Sequence, residues 1–157
     1  MQKITPFLWF DNNAEEAIAF YSSIFKDSSI ETITRYAKDT PGQEGTVMTG
    51  SFALYGQHFG ALNGGPGFKF TPAISFMVNC EDQSEVDYYW ERLSAGGEKG
   101  QCGWLTDKFG VSWQIVPTLL GKLLNDKNTK KVYNATQAML KMTKLEIEEL
   151  QQAFDRE

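Results

Sequence analysis

Apolar residues fall along this chain in stretches with two distinct periods. Residues 3–10 carry apolar side chains at successive positions, Phe7-Leu8-Trp9-Phe10 among them, which predicts a strand covered on both faces. Asn12 or Asn13 then stands where a helix cap is needed, and Glu15 and Glu16 suit the positive end of a helix. Ala14, Ala17, Ile18, Tyr21, Ile24 and Phe25 recur at helical spacing, so a helix is predicted over 13–25. A strand rich in β-branched residues follows at 29–36. After it come a surface loop at Asp39-Thr40-Pro41-Gly42 and a hairpin over 46–55 and 57–62, with Gly56 in its turn.

The same order returns 68 positions later without a gap, so that Leu8 falls on Phe76, Phe10 on Val78, Ile18 on Val86, Tyr21 on Tyr89 and Phe25 on Leu93. The second copy has a strand at 73–79, then a helix over 83–95 with Val86, Tyr89, Trp90 and Leu93 on one face. One or two strands lie in 98–106, a tight turn at Asp107-Lys108-Phe109-Gly110, and a last strand over 111–116. A unit made twice implies paired βαβββ modules, about 3–63 and 72–117. Together they form one α+β domain over 1–117, with a curved mixed sheet and helices outside it. Asn63-Gly64-Gly65-Pro66-Gly67 lacks the spacing of a phosphate-binding loop and no helix pattern follows it, so it reads as the linker between copies.

Beyond Pro117 the period is helical throughout, defining an extension over 118–157. A short segment carries Leu119, Leu120, Leu123 and Leu124, and a helix carries Val132, Thr136, Met139 and Leu140. Thr143-Lys144-Leu145-Glu146 has the form of a capping box opening a last helix with Ile147, Leu150 and Phe154. These apolar stripes follow a repeat that is already complete, and two small modules offer little core to cover them. The extension is therefore expected to pack across a twofold homodimer interface.

Composition narrows the partners. The chain has 157 residues, 41% hydrophobic and 22% charged, with a formal net charge of -5. A chain of this size buries roughly 68–70% of its unfolded surface and needs no disulfide or metal to fold. The acidic balance argues against nucleic acid and against an anionic membrane surface. Lys127, Lys130, Lys131, Lys141 and Lys144 read as a solvated helix face. No apolar stretch is long enough to span a membrane, and the start shows no basic region followed by an apolar run. Cys80 and Cys102 lack the C-x-x-C spacing and suit free thiols in a reducing compartment, so a cytoplasmic location is expected.

Two segments carry a family resemblance. One is Gly56-Gln57-His58-Phe59-Gly60-Ala61-Leu62-Asn63-Gly64-Gly65-Pro66; the other runs Gly103-Trp104-Leu105-Thr106-Asp107-Lys108-Phe109-Gly110-Val111-Ser112-Trp113-Gln114-Ile115-Val116-Pro117. Together with the doubled module, they resemble the PhnB-like branch of the vicinal oxygen chelate superfamily, which includes glyoxalase and bleomycin-resistance proteins. That branch has long carried the label 3-demethylubiquinone-9 3-methyltransferase. The likeness spans about residues 3–117, and it implies the paired-module fold and a cup holding a small molecule. In the metal-using members, the first and last strands of each module offer one ligand apiece. Carried over, those positions resemble Thr5, Ala73 and Gln114, with Gly60 matched to Gln114 through the turn glycines Gly56 and Gly110 to within a residue or two, a window in which Phe59, Ala61, Leu62 and Asn63 offer no carboxylate either. Only Gln114 is a plausible oxygen donor, so the resemblance implies a fold whose metal site is missing here, and no metal or cofactor is expected.

Other chemistry finds little support. His58 is the only histidine and is placed at a hairpin turn, which disfavours a Ser-His-Asp or Cys-His arrangement. The methyltransferase label would need an S-adenosylmethionine site, and no glycine-rich strand-to-helix turn is present. Strand alternation puts Thr5, Phe7 and Trp9 on one face, as it does Ser75 and Met77, and Ser112 and Gln114. Aromatic and apolar residues around a few polar groups describe a small-molecule pocket, in which Trp9 and Gln114 would face one cup. A ligand there would stack on Trp9, and also on Trp113 if the last strand slips by one residue, and would hydrogen-bond the Gln114 amide. Three readings stand side by side. They are a metal-free module binding a small apolar or aromatic molecule, an enzyme acting on a small metabolite (with an atypically held metal, a polar pair such as Ser75 and Gln114, or the methyltransferase activity of the label), and a structural homodimer whose cup is filled.

Overall fold

The repeat in the sequence is a repeat of topology. In the computed structural model, which describes residues 2–157, the first module consists of β1 (Phe7–Phe10), α1 (Ala14–Ile24), β2 (Ser29–Arg35), β3 (Val47–Leu54) and β4 (Gln57–Asn63). The second consists of β5 (Ser75–Cys80), α2 (Gln83–Ser94), β6 (Glu98–Lys99), β7 (Trp104–Thr106) and β8 (Ser112–Pro117). Each module builds its own four-stranded mixed sheet, in the orders β1-β4-β3-β2 and β5-β8-β7-β6. In both, the first strand runs parallel to the last and the other pairs are antiparallel. The chain divides into two compact units, one ending at Lys69 and the other spanning Phe70–Glu157.

In the first unit, alternation puts Leu8, Phe10, Phe52, Leu54, Phe59 and Ala61 on one face. All are buried, as are Ala14, Ala17, Ile18, Tyr21 and Ile24 of α1, so this is the core. The rings of Tyr21, Phe52 and Phe59 form a continuous stack, with centroids 6.3 Å and 5.3 Å apart. Tyr55 and Gly56 both take positive φ, 51° and 75°, as a two-residue type I′ hairpin requires. The cap of α1 differs from the local expectation. Asn13 is the N-cap residue, yet its side chain makes no capping bond. Asn63, at the end of β4, supplies it instead: Oδ1 accepts from Ala14 N at 2.9 Å and Nδ2 donates to Val47 O at 3.0 Å. β1 and β4 run parallel and end together, which brings the last side chain of β4 to the start of α1.

In the second unit, Phe76, Val78, Leu105, Trp113 and Ile115 share the face that α2 covers with Val86, Tyr89, Trp90 and Leu93. Asp82 caps α2 by accepting from Glu85 N at 2.9 Å. Buried Asp107 organises the β7–β8 turn. Its Oδ1 accepts from Phe109 N and Val111 N, and Oδ2 accepts from Trp113 Nε1 at 2.9 Å. Trp113 is thereby fixed on the helix side, away from the face where a one-residue slip would have put it.

The extension folds as α3 (Thr118–Leu124), α4 (Thr129–Leu140) and α5 (Ile147–Asp155). Leu120, Leu123, Ala135, Met142, Leu145, Leu150 and Phe154 close into a core of their own, with Val116 of β8 packed against it. Most of the apolar stripes thus pack within the chain, while Leu140 of α4 stays 52% exposed. The capping box expected at Thr143-Lys144-Leu145-Glu146 does not form. The backbone there is committed to the second module, with Cys102 N donating to Met142 O and Gly103 N to Thr143 O, each at 2.8 Å. The helix begins only at Ile147, and Gln83 of α2 caps it, accepting from Ile147 N at 2.7 Å while donating to Leu145 O at 3.1 Å. Among the described residues, no helix is long and apolar enough to cross a membrane.

Candidate functional site: the helix-free sheet faces

Each sheet has one face that its module helix does not cover, here called helix-free, and the residues nominated from the sequence fall on these faces; in the second unit the far end of that face, at Val116, meets the core of the extension. In the first unit β1 projects Phe7 and Trp9 there, opposite buried Leu8 and Phe10. Phe7 is 57% exposed, and its ring lies over Gly60, where an added Cβ would stand 2.4 Å from the ring. Trp9 lies over Gly64 in the same way, its ring 2.3 Å from where a Cβ would be. Glycine is required at both places because the aromatic rings occupy the side-chain space. Trp9 Nε1 donates to Gly65 O at 2.9 Å, and Phe68 meets the indole edge-on at 5.0 Å. The polar handle of Trp9 is spent on the linker, so what it offers a ligand is its ring. Thr5 is exposed ahead of β1, not within it.

The same face carries groups that sequence reasoning missed. Thr32 and Ser51 hydroxyls lie 2.6 Å apart, as do those of Thr34 and Thr49, giving two hydroxyl pairs across β2 and β3. His58 Nδ1 stands 2.6 Å from Glu31 Oε1. Alternation within β3 and β4 marks Thr49, Ser51 and His58 as one set. Glu31 carried no such signal, because its direction depends on a β-bulge between Ile30 and Thr32.

In the second unit, Ser75, Met77, Ser112 and Gln114 share the helix-free face, paired as Ser75 with Ser112 and Met77 with Gln114. Met77 is 52% exposed, whereas Ser112 is buried. Gln114 Nε2 donates to Ser75 Oγ at 2.9 Å. Among the described residues nothing donates to Gln114 Oε1, which leaves a half-buried acceptor beside Met77. Trp104 is opposite Gln114 and joins this face; the alternation of Trp104-Leu105-Thr106 was the signal for it.

The paired registers correct one correspondence. Phe7 pairs with Gly60 and Ser75 with Ser112, so the counterpart of Gln114 in the first module is Leu62, not Gly60. The turn glycines misplace it by two residues because the turn after β7 is longer than the two-residue turn after β3. Neither Leu62, Gly60 nor Ala73 carries a side-chain donor, and the Gln114 nitrogen is engaged with Ser75. This donor set does not fit a divalent ion. Among the described residues, no three His, Cys, Asp or Glu side chains converge. A groove of about 330 Å³ lies elsewhere, between α4 and α5, with Lys141, Glu149 and Arg156 in its lining, and it shares no residue with either sheet face.

The modules and their helix-free faces define a protein of the glyoxalase and bleomycin-resistance fold, and comparison with known proteins gives the family. Residues 2–116 match the family described as 3-demethylubiquinone-9 3-methyltransferase, and the chain belongs to that family. A putative 3-demethylubiquinone-9 3-methyltransferase, a PhnB protein from Bacillus cereus, is 42% identical over 74% of this chain and 100% of its own, with a TM-score of 0.71. Protein PA1353 from Pseudomonas aeruginosa shares the fold at 20% identity and a TM-score of 0.64, covering 74% of this chain and 98% of its own. The fosfomycin resistance protein FosX from Listeria monocytogenes, solved with Mn(II) and sulfate, shares it at 16% identity and a TM-score of 0.55, over 78% of this chain and 98% of its own. No curated protein matches the chain.

Proposed function

We propose that this protein binds a small, largely apolar or aromatic molecule on the helix-free faces of its sheets, without the metal used by other members of the superfamily. One observation carries the reading. The helix-side faces are largely buried, while Phe7 in the first unit and Met77 in the second, on the opposite faces, are more than half exposed, and Met77 is paired with Gln114, whose Oε1 is an unused acceptor among the described residues. Apolar surface next to a few polar groups suits capture of a small molecule. In the first unit the contact residues are Phe7 and Trp9, with Thr5 at the margin; in the second they are Ser75, Met77 and Gln114, with buried Ser112 on the same face.

The donors at the superfamily's ligand positions support the metal-free part. Thr5, Leu62, Ala73 and Gln114, which stand at the positions the superfamily uses for ligands, include no carboxylate or imidazole. The family's methyltransferase description is the second reading. Against it, neither βα connection has the glycine-rich turn that would cradle a nucleotide-like cofactor. A cytoplasmic location and a homodimer belong to the same proposal; the free thiols Cys80 and Cys102 support the first, and exposed Tyr133 and Leu140 on α4 support the second. Native mass spectrometry of freshly purified protein, alongside elemental analysis, tests the reading. A co-purified organic molecule with no stoichiometric metal is expected; near one equivalent of divalent metal per chain, lost on Gln114→Ala, would refute it.

A further inference from the structure

The only histidine of the chain stands on the helix-free face of the first unit with a carboxylate at its back. His58 and Glu31 are on β4 and β2, two strands that are not neighbours in the sheet. β3 lies between them, and there Ala53, paired with both His58 and Ser29, is small enough for the contact to pass across. Two further features hold the arrangement. The register slip between Ile30 and Thr32 leaves Glu31 as the extra residue of a β-bulge, a device that re-aims a side chain. The Gln2 side chain clamps the main chain of His58, Oε1 accepting from its N–H at 3.1 Å and Nε2 donating to its C=O at 3.0 Å.

Nδ1 faces Glu31 Oε1 at 2.6 Å, so in the neutral imidazole the proton sits on Nδ1, toward the carboxylate, and the lone pair on Nε2. Among the described residues nothing else bonds the ring, whose side chain is 47% exposed. Gly60 is next along this face of β4, beneath the Phe7 ring, and Ser51 lies opposite Gly60. A molecule resting against Phe7 would have the imidazole at one edge and a hydroxyl at another.

We propose that His58 is a proton acceptor and Glu31 its positioning residue, serving a small aromatic or apolar molecule with an acidic C–H or O–H. The inference rests on the ligand-binding reading of this face and adds a reaction to it. In the step, Nε2 takes the proton, the bond's electron pair stays with the molecule, and Glu31 holds the imidazolium until it passes the proton to water.

The test uses 5-nitrobenzisoxazole with the full chain. The base removes the C3 proton, the C–H pair forms the nitrile, the N–O bond breaks, and the phenolate oxygen leaves with its pair. Saturable turnover is expected, with kcat at least about tenfold lower in both His58→Gln and Glu31→Gln, KM unchanged, and the melting temperature within a degree or two of the parent. A parental rate no higher than that of His58→Gln overturns the proposal. So does a Glu31→Gln variant that keeps the full rate, since the carboxylate would then only strap β2 to β4. A parallel titration with a hydrophobic fluorescent dye separates the two claims: dye binding without turnover sinks the dyad and leaves the binding site standing.

Discussion

Gln114 donates its side-chain N–H to Ser75 Oγ across the parallel β5–β8 pair at 2.9 Å, and this bond determines which end of the amide a ligand meets. With nitrogen turned to the serine, the carbonyl oxygen is presented on the helix-free face beside exposed Met77. A ligand bound on this face, as proposed, would bring a donor to this point.

Replacing Gln114 by Leu removes the acceptor and keeps the volume. The Ser75 hydroxyl left behind is only partly buried, so stability should change by less than about 1 kcal/mol, while capture of a hydrogen-bond-donating ligand weakens. Thermal unfolding and ligand titration on one preparation check both. A melting temperature several degrees lower with binding intact would assign Gln114 to the core.

Asn63 predicts the opposite balance. Its buried amide serves Ala14 N and Val47 O together, so Asn63→Ala leaves a helix terminus and a strand carbonyl unpaired. A loss of about 2–3 kcal/mol is expected in denaturant unfolding, at the upper end for a lost cap with an added buried group.

Such contacts mark where the sequence was legible and where it was not. Apolar periodicity placed the strands, both module helices and the 68-residue repeat, because these patterns are local. The caps of α1 and α5 come from Asn63 and Gln83, far away in the chain, and their own neighbourhoods offered the misleading Asn13 and Thr143. The faces bearing Phe7, Trp9, Ser75, Met77 and Gln114 followed from alternation alone. His58 and Glu31 did not, since their meeting needs β3 between them and a bulge that no period announces.

Lys144 ties the extension to α2 through Asp87 at 2.8 Å and contacts Glu146 at 3.6 Å. The Asp87 carboxyl is held below its ordinary value of 3.8, chiefly by the Gln83 side chain and then by Lys144. The Lys144 ammonium is held above 10.5, chiefly by Asp87. A depressed carboxyl contributes stability above its unfolded value that fades as pH falls through the folded one. A raised ammonium contributes stability below its unfolded value that is lost as pH rises through the folded one. Lys144→Met should therefore lower the melting temperature modestly across the neutral range, with the difference from the parent shrinking below pH 3.8 and above 10.5. A difference independent of pH would mean that the aliphatic stem, not the charge, does the holding.

Burial pushes the Cys80 thiol up to about 12, with Glu85 and Asp82 adding to the effect. At pH 8 the native protein should leave Cys80 unmodified by iodoacetamide, and unfolding should expose it. Peptide mapping before and after denaturation reads the result. Rapid native labelling at Cys80 would show that the end of β5 opens.

The central claim is that the helix-free faces take up an apolar molecule without metal. Its most direct test is a titration of chelator-treated protein with 1-anilinonaphthalene-8-sulfonate, repeated on Phe7→Ser and Met77→Ser. Saturable binding is predicted, unchanged by chelation or added divalent ions. Uptake on the face of the first unit should weaken about tenfold or more with Phe7→Ser, and uptake on that of the second with Met77→Ser, as the loss of a buried apolar contact of about 1.5 kcal/mol requires. Binding that is absent until a divalent ion is restored, or that ignores both substitutions, would contradict the account.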